Sequence, residues 1–197
     1  MPGGSALAAD EPDAAAHQLF TLPNIITLAR LCAVPATVWL MLNQRLDLAF
    51  LLFVAAGISD ALDGWIARAW GLRSALGAML DPVADKALLV SVYVVLAVIG
   101  VLPDWLAILV VFRDLLIVGG LLLLWQLGLQ PAIRPLLVSK INTFAQIALA
   151  AASLLLVGFG LQAPEFKTAL IWLVAVTTIW SGAAYMAGGA RTLAGKP

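Results

Sequence analysis

From residue 22 onward the chain alternates between six long apolar blocks and short polar breaks, and that alternation limits the possible folds more than any other feature. The blocks cover roughly 25–42, 48–67, 83–101, 105–125, 136–159 and 168–188. Each approaches the ~20 residues that a helix needs to cross ~30 Å of hydrocarbon. Runs of this length do not suit strands, and a membrane barrel would show short alternating segments instead. The breaks at 43–47, 70–81, 100–104, 128–135 and 160–167 carry Gly, Pro, Asn or Asp, the residues that punctuate helices. Only 11% of the 197 residues are charged and 63% are hydrophobic, whereas a soluble domain carries about 25% charge. The expected fold is an all-α integral membrane protein with six transmembrane helices.

Six spans leave both termini on one side, together with the second and fourth connections. That side holds Arg68, Arg73, Arg134, Arg191 and Lys196, while the other holds Arg45 and Lys167, offset by Asp47, Asp104 and Glu165. Cytoplasmic loops collect Lys and Arg, so the cation-rich side is expected in the cytoplasm. Trp70, Trp105 and Trp125 fall near span ends, as an interfacial belt requires; Trp65 and Trp180 fit that belt less well. Net charge is zero, which excludes a basic nucleic-acid face. One cysteine, Cys32, excludes a disulfide framework and a cysteine metal site. Residues 1–18 are rich in Ala, Gly, Pro and Asp, without Lys or Arg. They lack the pattern of a secretory signal and are expected to form a flexible tail, or an amphipathic surface helix from near Glu11. His17 lies in that tail. Residues 19–197 form the membrane domain.

Charges inside apolar blocks are the informative ones. Between Asp60 and Lys86 stand Asp60, Asp63, Arg68, Arg73, Asp81, Asp85 and Lys86, seven of the chain's 22 formal charges. A carboxylate at the bilayer centre costs roughly 2.5–3.5 kcal/mol even on the lenient insertion scale. Four together also repel, so something cationic must sit among them. Asp60, Asp63, Gly64, Ala67 and Arg68 share one helical face by spacing, and Asp81 and Asp85, four apart, share a face of the next helix. A short turn lets the two faces meet. Carboxylates with no His or Cys nearby suit a hard divalent cation, Mg²⁺ or Mn²⁺, rather than Zn²⁺. Two such ions sharing carboxylates is an arrangement used in phosphoryl chemistry. Gly64 and Ala67 leave room for a bulky ligand such as a nucleotide, Arg68 can pair with phosphate, and Lys86 can balance local charge.

Blander readings stand beside this one. Asp81 followed by Pro82 has the form of a helix N-cap with proline at the first helical position. Paired membrane carboxylates also serve as proton or cation relays in transporters. The residues alone leave transporter and phosphotransferase both open.

The pattern Asp60-x2-Asp63-Gly64-x2-Ala67-Arg68-x8-Gly77-x3-Asp81-x3-Asp85 resembles the full signature of the CDP-alcohol phosphotransferase family, with no fixed position missing. That resemblance implies six membrane helices, usually in a homodimer, with a polar active-site cavity open to the cytoplasmic side. The implied reaction moves a phosphatidyl or similar group from a CDP-linked donor to an alcohol and releases CMP. By the same resemblance, Asp60, Asp63, Asp81 and Asp85 match metal ligands for two divalent ions. Asp85 also matches the base that takes the proton from the attacking hydroxyl. Gly64, Arg68 and Ser74, with Asn24 and Thr27 at the start of the first helix, match contacts to the CDP-diacylglycerol donor. Arg30, one turn on, is a phosphate contact or a partner for an acidic residue.

The stretches 73–77 and 80–86, the run Phe112, Arg113, Asp114, and the run from Ser139 to Thr143 are most similar to the CMP-forming cardiolipin-synthase branch. That branch uses phosphatidylglycerol as acceptor. A sister branch uses glycerol-3-phosphate and usually has Arg-Glu where this chain has Arg113 and Asp114. Both acceptors carry phosphate, so Arg113 and Lys140 are the candidate acceptor contacts, with Arg134 as a loop charge; all three could instead be orientation anchors. The setting implied is a bacterial inner membrane with both termini cytoplasmic. Gly182, Ala183, Gly188 and Gly189 permit close helix packing or a dimer face.

Overall fold

Each apolar block becomes one helix. The computed structural model describes the backbone of residues 22–70, 75–126 and 137–194. Its helices are α1 (Leu22–Leu42), α2 (Leu46–Trp70), α3 (Ala75–Val98), α4 (Asp104–Gln126), α5 (Leu137–Gly158) and α6 (Pro164–Ala194). α1 packs on α2 and α3, α5 on α2, α3 and α6, and α4 on α3 and α6.

The largest departures from the sequence expectation are at the start of α3 and at both ends of α6. α3 begins at Ala75, so Asp81 lies inside a helix and is not its N-cap. Ala75, Leu76, Ala78, Met79 and Leu80 are strong helix formers, and their combined preference outweighs the start signal given by Pro82. α6 begins at Pro164 and runs 31 residues. Proline at the first helical position loses no internal hydrogen bond, and Glu165 in the first turn favours the positive end of the helix dipole.

α1, α3 and α5 end alike. Arg45 N–H bonds Leu40 C=O at 2.9 Å, Val101 N–H bonds Leu96 C=O at 2.8 Å, and Leu161 N–H bonds Leu156 C=O at 2.7 Å. Each closes a loop around a residue of positive φ, namely Gln44 (59°), Gly100 (74°) and Gly160 (65°). This is the Schellman cap, which satisfies carbonyls that a helix end leaves without partners. At the same end of the bundle Gly158 touches the start of α2. A Cβ on Gly158 would lie 2.5 Å from the backbone nitrogen of Asp47, so only glycine permits this approach.

Polarity is arranged inside out relative to a soluble protein. Buried apolar side chains such as Met41, Tyr93, Leu96, Leu106, Leu149 and Leu154 share the interior with Arg113, Asp114, Asn142, Gln146, Ser153, Thr178 and Ser181. Meanwhile Trp39, Val98, Ile108, Phe144 and Trp180 are all more than 60% exposed. So broad an apolar exterior is abnormal in water and expected in lipid, where polar side chains turn inward. Among the described residues, Leu137–Gly158 and Pro164–Arg191 are long and apolar enough to cross a membrane, with shorter apolar stretches at Leu31–Leu42 and Lys86–Val98.

Candidate active site

The aspartates occupy two unbroken helices. Asp60 and Asp63, with Gly64, Ala67 and Arg68, lie in the C-terminal half of α2; Gly77, Asp81 and Asp85 lie in the N-terminal half of α3. Four residues join these helices, so both pairs lie in the half of each helix nearer that connection, away from the three Schellman caps. Continuous helix through each pair is what the face argument requires. Asp60 is half-buried. The side chains of Asn24, Thr27, Arg30, Asp63, Gly64, Arg68, Asp81 and Asp85 lie outside the described residues, as do Ser74, Arg134 and residues 1–18 entirely. A metal site built from these aspartates would offer carboxylate oxygen, with no His or Cys from 60 to 86, a set of ligands that fits a hard divalent cation.

Directly after Asp85 the structure reveals a charged junction of four helices. Lys86 Nζ of α3 donates to Asp114 Oδ2 of α4 at 2.7 Å. Arg113 Nη1 donates to Asp114 Oδ1, also at 2.7 Å. The second terminal nitrogen, Arg113 Nη2, donates to Ser139 Oγ of α5 at 2.6 Å and to Ser181 Oγ of α6 at 2.5 Å. The guanidinium also lies 6.0 Å from the centre of the Tyr185 ring. Arg113 is only 4% exposed and Asp114 8%, and a buried ion pair survives only when its remaining polar atoms are satisfied. Both Asp114 oxygens are engaged; buried Arg113 Nε has no hydrogen-bond partner among the described residues.

The other sequence candidates fall around this junction. Lys140, next to Ser139 on α5, is exposed. Asn142, fully buried, accepts from Thr177 and Thr178 of α6, each at 2.9 Å. Gly182 is buried, with Arg113 Cγ 3.8 Å from where its Cβ would be; its small size serves packing inside the chain, while Ala183 faces outward. Sequence reasoning missed Ser181 and the linking role of Asp114. A buried Arg beside an Asp in an apolar block does signal a paired charge, but a single serine on a membrane helix carries no comparable signal.

A bundle that is helical through its described residues, with an apolar exterior and a buried charged junction, defines a membrane protein with a polar interior. Residues 20–180 match the CDP-alcohol phosphatidyltransferase family. The chain belongs to that family. It is similar to rice (Oryza sativa subsp. japonica) chloroplastic CDP-diacylglycerol–glycerol-3-phosphate 3-phosphatidyltransferase 1, with 36% identity over 86% of this chain and 57% of that protein. It is also similar to human cardiolipin synthase (CMP-forming), at 31% over 98% of this chain and 69% of the relative. A Schizosaccharomyces pombe cardiolipin synthase (CMP-forming)/mitochondrial hydrolase fusion protein is 34% identical over 86% of this chain, which spans 31% of that longer protein.

Proposed function

We propose that the protein is a phosphatidyltransferase that moves the phosphatidyl group of CDP-diacylglycerol to phosphatidylglycerol, forming cardiolipin and releasing CMP. The observation that carries this reading is the continuity of helix through both aspartate pairs, each in the half of its helix nearer the α2–α3 connection. Asp60, Asp63, Asp81 and Asp85 would hold two divalent cations, Mg²⁺ or Mn²⁺. When bound, these neutralise phosphate oxygens of the donor and the departing CMP. Asp85 takes the proton from the attacking hydroxyl, since an alcohol at neutral pH is a poor nucleophile without a positioned base. Asn24, Thr27, Gly64, Arg68 and Ser74 hold the CDP portion, with Arg68 suited to bidentate phosphate contact.

Charge supports the choice of acceptor. Lys86 and Arg113 are both already engaged by Asp114, while Lys140 is exposed. The exposed Lys140, next in sequence to the Ser139 that Arg113 holds, suits the single negative charge of a phosphodiester better than the near-dianion of glycerol-3-phosphate. An apolar exterior also gives a diacyl acceptor access from the side, through the bilayer. The rice relative, named for glycerol-3-phosphate, favours the second reading, a phosphatidylglycerophosphate synthase.

The same reading assigns residues 1–18 to a tail and 19–197 to a membrane domain of six transmembrane helices. Its site opens to the cytoplasm of a bacterial inner membrane, with both termini on that side, and the chain acts as a homodimer. The test is to offer the purified protein CDP-diacylglycerol with phosphatidylglycerol and glycerol-3-phosphate together, and to identify the lipid product. Cardiolipin is expected; phosphatidylglycerophosphate alone would overturn the acceptor assignment.

A further inference from the structure

Lys86 follows Asp85 directly along α3, and Asp114 ties it to α4 at 2.7 Å. Seven residues farther along, the Tyr93 hydroxyl donates to the backbone carbonyl of Gln146 on α5 at 3.0 Å. Seven residues make about two turns, so both anchors lie on one stripe of the helix. Leu89 and Leu96, both buried, complete that stripe. Lipid supplies little hydrophobic drive between helices, and apolar packing alone resists rotation or sliding weakly. Two polar anchors on one stripe, directed to two different helices, fix both the rotation and the height of α3. The nearer one holds the residue adjacent to Asp85. Asp114 is itself held, because Arg113 clamps its second oxygen and is in turn bonded to Ser139 and Ser181.

We propose that Asp114 is a positioning residue: by holding Lys86 it sets the rotation of α3 at the point where Asp81 and Asp85 must face the aspartates of α2. A rotation of about 20° moves a side-chain tip ~5–6 Å from the helix axis by roughly 2 Å. Misplacement by ~1 Å is enough to cost about 100-fold in rate. This inference rests on the assignment of Asp85 under the proposed function. Asp114 itself has both oxygens occupied by cations of the protein, which suits an anchor rather than a group that meets substrate.

Two variants separate positioning from mere stability. Asp114→Asn removes the charge that holds Lys86. Lys86→Met removes the α3 end of the anchor and leaves the buried Arg113–Asp114 pair intact. Each is purified in detergent and measured for melting temperature, for kcat and KM toward both lipids, and for Mn²⁺ affinity by electron paramagnetic resonance titration without substrate. Asp114→Asn is expected to lower kcat about 100-fold and to weaken Mn²⁺ binding, with KM values little changed. Lys86→Met, which keeps the buried pair, is expected to melt near the parent temperature while kcat and Mn²⁺ affinity are low. Parental Mn²⁺ affinity and kcat in Lys86→Met would overturn the proposal and reduce the pair to a stabilising contact. Asp85→Asn, measured alongside, distinguishes the two levels. If it is inactive while Asp114→Asn behaves as the parent, the positioning role alone fails. If it is active, the assignment of Asp85 fails first and the positioning role with it.

Discussion

A base that removes a proton during attack should leave a signature different from a binding residue. Asp85→Asn keeps an oxygen that can coordinate but cannot accept the proton, so kcat is expected to fall by about 10²–10⁴-fold, with binding of CDP-diacylglycerol nearly unchanged. Turnover assays paired with donor-binding titration check this. Lys140 calls for the opposite pattern. Losing one charge-assisted hydrogen bond to the acceptor costs about 1.5–3 kcal/mol, so Lys140→Ala is expected to raise KM for phosphatidylglycerol while kcat stays close to the parent's. Gln44 is a residue-scale matter of another kind, because it holds φ 59° without being glycine. Gln44→Gly is expected to add about 0.5–1 kcal/mol of stability by relieving that conformation, read as a higher melting temperature in detergent. The aspartates stand out in the sequence because each carboxylate in an apolar block has to be compensated. The positive φ of Gln44 does not, since nothing in a glutamine announces it, whereas Gly100 and Gly160 mark their own turns.

Helix existence follows from the apolar blocks, and the structure shifts mainly their edges. The start of α3 was misjudged because Pro82 is a strong local signal while the helix-forming run from Ala75 to Leu80 is diffuse. The close approach of α5 to α2 had no sequence signal beyond a glycine near a block end. It is a clean test of the described packing. Gly158→Ala would press a methyl against the Asp47 backbone, and overpacking of this kind costs about 1–3 kcal/mol. The variant is expected to melt at a lower temperature, and an unchanged melting temperature would mean that α5 and α2 are farther apart at this end. Association of α4, α5 and α6 around Arg113 was only half legible. Arg113 and Asp114 stood out as charges in an apolar block, while Ser139 and Ser181 acquire their role only when four helices converge.

At the scale of the whole molecule, structural closure and buried charge occupy different levels of the bundle. Three Schellman caps, two of them on glycine, and the α5–α2 contact close one end, while the buried Arg113–Asp114–Lys86 junction lies deeper between the helices. Phosphatidyl transfer requires both halves of the exchange in strict proportion: one CMP released for each cardiolipin formed, and neither without a divalent cation. The most direct measurement is therefore the stoichiometry of CMP and cardiolipin from purified protein given CDP-diacylglycerol and phosphatidylglycerol, before and after EDTA and again after Mg²⁺ or Mn²⁺ is restored. Equal amounts of both products, lost with EDTA and recovered with metal, are expected. No CMP release under any metal condition, together with cation flux through proteoliposomes that lack CDP-lipid, would contradict the assignment and return the membrane carboxylates to a transport role.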